Sequence, residues 1–195
     1  MQFDVILPTI DRGSLFAAIN SVCQQTHQEW TLWIVQDGIL VSDLLTQAFP
    51  DPRVRFIHKE RTVDDSGASA RNLGIQYGNA AWIAYLDDDD IFLPNHLQMF
   101  SELGRLHPEA NMLRTIGQSF SWRHKSPRSS KLVRKLGPVN SQDILTVGMA
   151  HTREIFNKTS GWQPVDNHDH LLWREMLAAG GVPAIAHEVT FEFER

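Results

Sequence analysis

Four consecutive aspartates, Asp87 to Asp90, carry more chemistry than any other stretch of this sequence. Adjacent carboxylates repel one another, and a chain folds around them only if they are solvated, protonated or neutralised. Solvated acidic runs belong in linkers and tails. This run instead follows the apolar stretch Ala81 to Leu86 and precedes Ile91, Phe92 and Leu93, so it lies between two core segments. A hard divalent cation held by carboxylate oxygens resolves the conflict. Along an extended segment, side chains alternate, which puts Asp87 and Asp89 on one side and Asp88 and Asp90 on the other. One pair could hold Mg²⁺ or Mn²⁺ while the ion also touches phosphate oxygens. The competing reading is a helix start before Pro94, where the helix dipole favours acids and Asp90 serves as the cap.

The elements around the run indicate what it would serve. Phe3 to Leu7 is a short apolar run ended by Pro8 and reads as a buried strand. Ser14 is placed to cap a helix carrying Leu15, Ala18, Ile19 and Val22. Trp30 to Val35 reads as a second strand closed by Asp37-Gly38, and Val41 to Ala48 as a helix stopped by Pro50. Val54 to His58 is a third strand, Ala68 to Tyr77 a helix, and Ala81 to Leu86 a fourth strand that feeds the aspartates. Alternating strands and helices imply an α/β fold with a mostly parallel central sheet and helices on both faces. Ligands of such sheets bind beyond the carboxyl ends of the strands. Pro8-Thr9, Asp37-Gly38 and the aspartate run each follow a strand directly, so they should share one site.

Farther along, a helix is expected from Asn95 to about Leu106, a turn or helix end from Ile155 to Gly161, and a helix from His170 to Ala179. Val182 to Phe193 alternates like a final strand. Between them, Trp122 to Gly137 holds seven basic or histidine residues and no clean apolar period, which reads as a basic loop or a short amphipathic piece. Ser141 or Asp143 could cap a short helix after it.

Composition narrows the classes. The 195 residues are 42% hydrophobic and carry a formal charge of -5, which fits one globular domain and gives no footprint for nucleic acid. Cys23 is the only cysteine, so no internal disulfide forms and a reducing compartment fits. The opening MQFDVILPTIDR does not read as a signal peptide, and no run approaches the roughly 18 apolar residues of a bilayer span. A cytoplasmic protein is expected, with peripheral membrane contact left open.

Taken in order, VILPTIDR, QDG, GASARNLGI and AYLDDDDIFLPNHL resemble the landmarks of the family 2 glycosyltransferases with the GT-A fold. The fourth is similar to that family's D-x-D motif, met here by Asp87, Asp89 and Asp90 with Pro94. SGWQPVDNHDHLLWREML resembles the family's acceptor-side segment. The resemblance implies a Rossmann-like GT-A domain over 1–195, with a nucleotide-sugar half in 1–100 and an acceptor half in 101–195. It implies an inverting transfer from a nucleotide-diphosphate sugar, UDP first, to a saccharide or lipid-linked acceptor with Mn²⁺ or Mg²⁺. Pro8 and Thr9 would lie against the base, Asp37 would accept from a uracil or thymine imide, and Arg71 and Asn72 would face the nucleotide. Asp87 would touch the ribose or support the metal, Asp88 would be the variable middle position, and Asp89 the direct metal ligand. Asp169 would be the catalytic base, and His187 a late metal ligand. Trp162 and Trp173 could stack on an acceptor sugar, although Trp173 sits on a helix that reads as buried.

The sequence also departs from the family pattern. Gln36 stands where the first Asp of D-D-G is usual, Asp11 where Asn is usual, and His168 where Glu is usual. Two other classes fit the same pieces. A sugar-phosphate nucleotidyltransferase would carry a glycine-rich loop near the N-terminus, which VILPTIDR lacks. A non-catalytic nucleotide- or sugar-binding module would have no need for both the aspartate run and Asp169.

Overall fold

The first four strands are short, branched and apolar, and they pair in parallel. The computed structural model describes residues 1–120 and 144–194. In it β1 (Phe3–Thr9) lies between β2 (Trp30–Asp37) and β4 (Trp82–Tyr85), with β3 (Val54–Lys59) outside β2. Phe3 is level with both Trp30 and Trp82, so the three strands start together and end along one edge. β1 runs two residues past the expected stop, through Pro8 to Thr9 opposite Gln36. Side-chain alternation divides it between two layers. Phe3, Val5 and Leu7 pack with Leu15, Ala18, Ile19 and Val22 of α1 (Leu15–Cys23) and with Phe100 of α4 (His96–Leu106). Ile6 faces the other layer, with Ala68 and Ile75 of α3 (Ala68–Tyr77) and Leu172, Trp173 and Met176 of α6 (His168–Ala178). Helices therefore cover both faces.

The remaining strands extend the sheet with mixed polarity. Its order is β3-β2-β1-β4-β7-β6-β8-β5. β7 (Met149–Thr152) runs antiparallel to β4, and β6 (Met112–Phe120) antiparallel to β7 and parallel to β8 (Pro183–Glu194). The two-residue β5 (Ile91–Phe92) closes the far edge against β8. The helix over 68–77 falls where the sequence placed it, ending at Gly78. Ser14 occupies the cap position of α1 but makes no side-chain cap bond. The short α2 (Asp43–Ala48) begins after Ser42, whose hydroxyl accepts from Leu45 N, and α5 (Arg153–Phe156) begins after Thr152 in the same way. α6 starts two residues before the expected His170, which places Asp169 inside its first turn. None of the four aspartates caps α4, whose N-cap position is Asn95.

Candidate functional site

The common edge at the carboxyl ends of β1, β2 and β4 opens into a cavity of about 460 Å³, within the usual size range of small-molecule sites. Among the described residues, every lining residue but one lies between Pro8 and Asp89; the exception is His168. The strand ends thus bring Pro8, Thr9, Asp37, Asp87, Asp88 and Asp89 to one cavity, where Arg71 of α3 joins them.

The aspartate run is a tight turn, with Asp90 N donating to Asp87 O at 3.1 Å. Alternation nevertheless survives in burial: Asp88 and Asp90 are buried, Asp87 and Asp89 partly exposed. Asp88 is stitched to the end of β1. Its Oδ2 accepts from the Thr9 hydroxyl at 2.7 Å and from Ile10 N at 3.3 Å. The same Thr9 oxygen accepts from Asp11 N at 2.9 Å, which holds Asp11 at a left-handed φ of 63°. Two guanidinium groups face the run. Arg12 pairs with Asp89 and lies 3.5 Å from Asp88, and Arg71 pairs with Asp87. Burial pushes the Asp88 carboxyl up, against the pull of Thr9, Arg12 and Ile10. Asp89 is pushed up by burial first, with Arg12 opposing and the neighbouring Asp87 and Asp88 adding to the rise. An incoming cation would reverse both shifts.

Arg71 is held on three sides. Its guanidinium donates to Ser66 O at 2.8 Å, pairs with Asp87, and lies 4.8 Å above the Trp162 ring. Asp65 fixes the loop that carries Ser66, accepting from Gly67 N at 2.9 Å, from Ser69 N at 3.0 Å and from the Ser69 hydroxyl. Burial pushes Asp65 up, but the Ser69 and Gly67 bonds outweigh it and hold the carboxyl below its ordinary range. Three of the left-handed non-glycine residues, Asp11, Asp64 and Ser66, belong to the two loops at this rim. Backbone strain of this kind collects around binding sites.

Asp37 is buried at the end of β2. Its Oδ1 accepts from Lys59 Nζ at 2.7 Å and from Thr62 N at 3.2 Å, and among the described residues its second oxygen has no hydrogen-bond partner. Gln36 braces the same turn by accepting from Val41 N at 2.8 Å. Gly38 follows with φ 81°, and a Cβ there would meet Arg61 Cβ at 2.2 Å.

Other expected residues stand elsewhere. Asn72 does not line the cleft; it donates to Trp162 O at 2.9 Å and accepts from Trp162 N at 3.0 Å. Trp162 and Trp173 are both buried, so neither presents a face to a sugar. Trp162 packs edge-on against Tyr85 at 4.9 Å and against His168 at 5.2 Å. Asp169 is half-buried at the start of α6, next to the lining residue His168, and accepts from His170 N at 2.8 Å. The His168 imidazole is held below its ordinary value by burial and then by Arg71, with Asp169 and Asp87 pulling the other way. His187 is exposed on β8, in the bulge where the register with β6 slips, and is not at the cleft. The basic stretch 122–135 and the cap candidates Ser141 and Asp143 lie outside the described residues. Arg12 and Lys59 were not singled out by the sequence, although Arg12 sits inside the first landmark.

Among the described residues, no group of three or more His, Cys, Asp or Glu side chains forms a complete metal cage. The donor set still fits a hard cation that completes its shell with water and phosphate oxygens, because such ions commonly take only one or two carboxylates. Arg12 seated on Asp88 and Asp89 shows that these oxygens already present themselves to a positive charge.

A family model described as Glycosyl transferase family 2 matches residues 4–160. The chain belongs to this family. An uncharacterized glycosyltransferase of Rickettsia bellii is 36% identical to this family 2 chain over 101 residues, 50% of the chain and 14% of its own length. UDP-Glc:alpha-D-GlcNAc-diphosphoundecaprenol beta-1,3-glucosyltransferase WfgD of Escherichia coli is 31% identical over 97 residues, 49% of the chain and 38% of its own length. The family 2 chain spans only 13% to 38% of the length of the curated relatives it matches. The crystal structure of S. aureus TarS 1-349 matches with a TM-score of 0.81 at 12% identity, over 100% of this chain and 60% of that one. TarS has also been solved with UDP. At that identity the likeness establishes the fold, which is GT-A. Among the described residues of the family 2 chain, no helix is long and apolar enough to cross a membrane.

Proposed function

We propose that this protein transfers a glycosyl group from a nucleotide-diphosphate sugar, most simply a UDP-sugar, to an acceptor hydroxyl with inversion. The observation that carries the reading is the convergence of Pro8, Asp37 and Asp87 to Asp89, from three separate strand ends, with Arg71 of α3, on one 460 Å³ cleft. Pro8 and Thr9 would flank the base, and the open oxygen of Asp37 would accept from its imide. Arg71 and Asp87 would meet the ribose and diphosphate. Asp89, with Asp88 beside it, would hold Mn²⁺ or Mg²⁺. When bound, that ion offsets charge developing on the departing diphosphate.

The acceptor would approach from the side of α6. Among the described residues, His168 is the one lining residue from the second half of the chain, and Asp169 follows it. This arrangement supports a donor half in 1–100 and an acceptor half in 101–195. A carboxylate at Asp169 can take the proton of the attacking hydroxyl as the new bond forms on the face opposite the leaving diphosphate. A saccharide acceptor, lipid-linked as the name of WfgD describes for that enzyme, fits the family; contact with a membrane surface would then be peripheral, at the cytoplasmic face.

Calorimetric titration with UDP, with and without Mn²⁺, tests the donor reading, and a panel of nucleotide-sugars scored for metal-dependent hydrolysis identifies the sugar. Metal-enhanced UDP binding is expected. Binding indifferent to metal would count against this reading, and affinity with neither transfer nor slow donor hydrolysis would indicate a binding module instead.

A further inference from the structure

Among the described residues, two arginines pair with the aspartate turn, and they are held very differently. Arg71 is 4% exposed and locked by Ser66 O, Asp87 and the Trp162 ring. The Arg12 side chain is 49% exposed. Its backbone is fixed on both sides: the Thr9–Asp11 hydrogen bond shapes the turn before it, and its carbonyl accepts from Leu15 N at 3.0 Å at the start of α1. A fixed backbone with a long, half-exposed side chain allows the guanidinium to change partners without moving the loop.

Its present partners are the carboxylates assigned above to a divalent ion. Arg12 Nη1 bonds Asp89, and Nε lies 3.5 Å from Asp88 Oδ1. A guanidinium and a divalent cation cannot share those oxygens without strong repulsion. Charge balance indicates how the conflict resolves. Among the described ion pairs, two guanidinium groups face the three carboxylates Asp87, Asp88 and Asp89, with Asp90 buried behind them. A divalent ion and the two singly charged phosphates of a nucleotide-sugar enter as a neutral pair. The balance is preserved if Arg12 keeps its charge and exchanges a carboxylate for a phosphate. Arginine suits that exchange, because its planar fork matches both groups.

We propose that Arg12 is the resident counter-cation of the aspartate turn, displaced from Asp88 and Asp89 onto the donor diphosphate when metal and nucleotide enter together. The inference rests on the donor reading of the cleft. It makes Arg12 a competitor of the metal in the empty protein and a ligand of the diphosphate in the loaded one. Release of the nucleotide would return Arg12 to the aspartates and help to expel the ion.

The experiment is Mn²⁺ binding followed by electron paramagnetic resonance, first without nucleotide and then at saturating UDP. Without nucleotide, Arg12→Gln should bind Mn²⁺ about tenfold more tightly than the parent, the equivalent of one charge-assisted hydrogen bond removed from competition. Arg12→Lys keeps the charge and should stay near the parent. At saturating Mn²⁺, Arg12→Gln should bind UDP several-fold more weakly, because the loaded diphosphate loses a cationic ligand. Thermal melting of each variant controls for folding. Equal Mn²⁺ affinity in parent and Arg12→Gln overturns the displacement while leaving the donor reading intact. Failure of both proteins to bind Mn²⁺ even with UDP present overturns the metal reading and this inference with it. An Arg12→Lys variant that behaves like Arg12→Gln shows that charge is not the cause, and also overturns the inference.

Discussion

Asp4, on β1, forms a 2.7 Å ion pair with Arg153, the first residue of α5, although 149 positions separate them in sequence. The carboxylate is 1% exposed and is also satisfied by Trp33 Nε1 at 2.8 Å and Ala80 N at 2.7 Å. Arg153 in turn donates to Ala80 O and Ile75 O. One buried carboxylate thus joins β1, β2, the turn before β4 and α5. Removing it strands buried donors. Asp4→Ala should cost about 3 kcal/mol, less than the upper range for buried pairs because Arg153 keeps some water. Chemical denaturation measures the loss. UDP affinity below the unfolding transition should be unchanged, since this network does not line the donor cleft.

Stability should also fall in acid through two buried histidines. His151 shares a 2.7 Å hydrogen bond with Tyr85 and is pushed down to about 4 by burial. His96 stacks on Phe92 at 3.9 Å, hydrogen-bonds Thr190, and is pushed down to about 3, again by burial. Both folded values lie below the unfolded one, near 6.5. The unfolded chain therefore binds more protons below that pH. The stabilisation is complete above about pH 6.5 and is lost as pH falls toward the folded values, at up to about 1.4 kcal/mol per pH unit for each histidine. Urea midpoints from pH 7.5 to pH 5 should decline, and His151→Gln should decline less steeply. Identical slopes in the two proteins would remove His151 from the account.

β1, β2 and β4 were legible because each is a brief apolar run followed by Pro8, by Asp37-Gly38 or by the aspartates. β6 and β7 were not. β6 carries the buried Arg114 among its apolar residues, and β7 is four residues long and includes His151, so neither shows a clean period. β5 has two residues and therefore no pattern to read. At the site, repulsion among four carboxylates marked the turn before any contact was known. Its counter-charges left no such mark, because the Arg12–Asp89 and Lys59–Asp37 pairs are made by folding across 77 and 22 positions. Asn72 shows how one step changes a role. It follows Arg71 by a single residue, about 100° around α3, which turns its amide to the Trp162 backbone and away from the cleft.

Gly38 should control the nucleobase end. Its φ of 81° is one that L side chains rarely adopt, and an added Cβ would collide with Arg61. Gly38→Ala must therefore shift the turn that follows Asp37. Asp37 accepts from Lys59 and from Thr62, on the same loop as Arg61, so the shift reaches its carboxylate directly. UDP affinity is expected to fall about tenfold or more, the equivalent of one charged hydrogen bond. Mn²⁺ binding at the aspartate turn should change little. Unaltered UDP affinity would mean that Asp37 does not read the base.

Asp169→Asn separates binding from chemistry most directly. Asp169 lies outside the lining of the donor cleft, and its carboxylate accepts from His170 N in the first turn of α6. An amide oxygen can accept the same bond, so the helix start should survive. UDP and Mn²⁺ affinities should stay within about twofold of the parent, because no donor contact is removed. Transfer should fall by roughly 10²–10⁴, the usual contribution of a positioned general base. The acceptor hydroxyl would then have to lose its proton to water, while slow donor hydrolysis, which needs no acceptor, should persist. Normal transfer by Asp169→Asn would exclude this carboxylate as the base. His168 would be the next residue to test, since its half-buried imidazole is held below its ordinary value and lines the cleft itself.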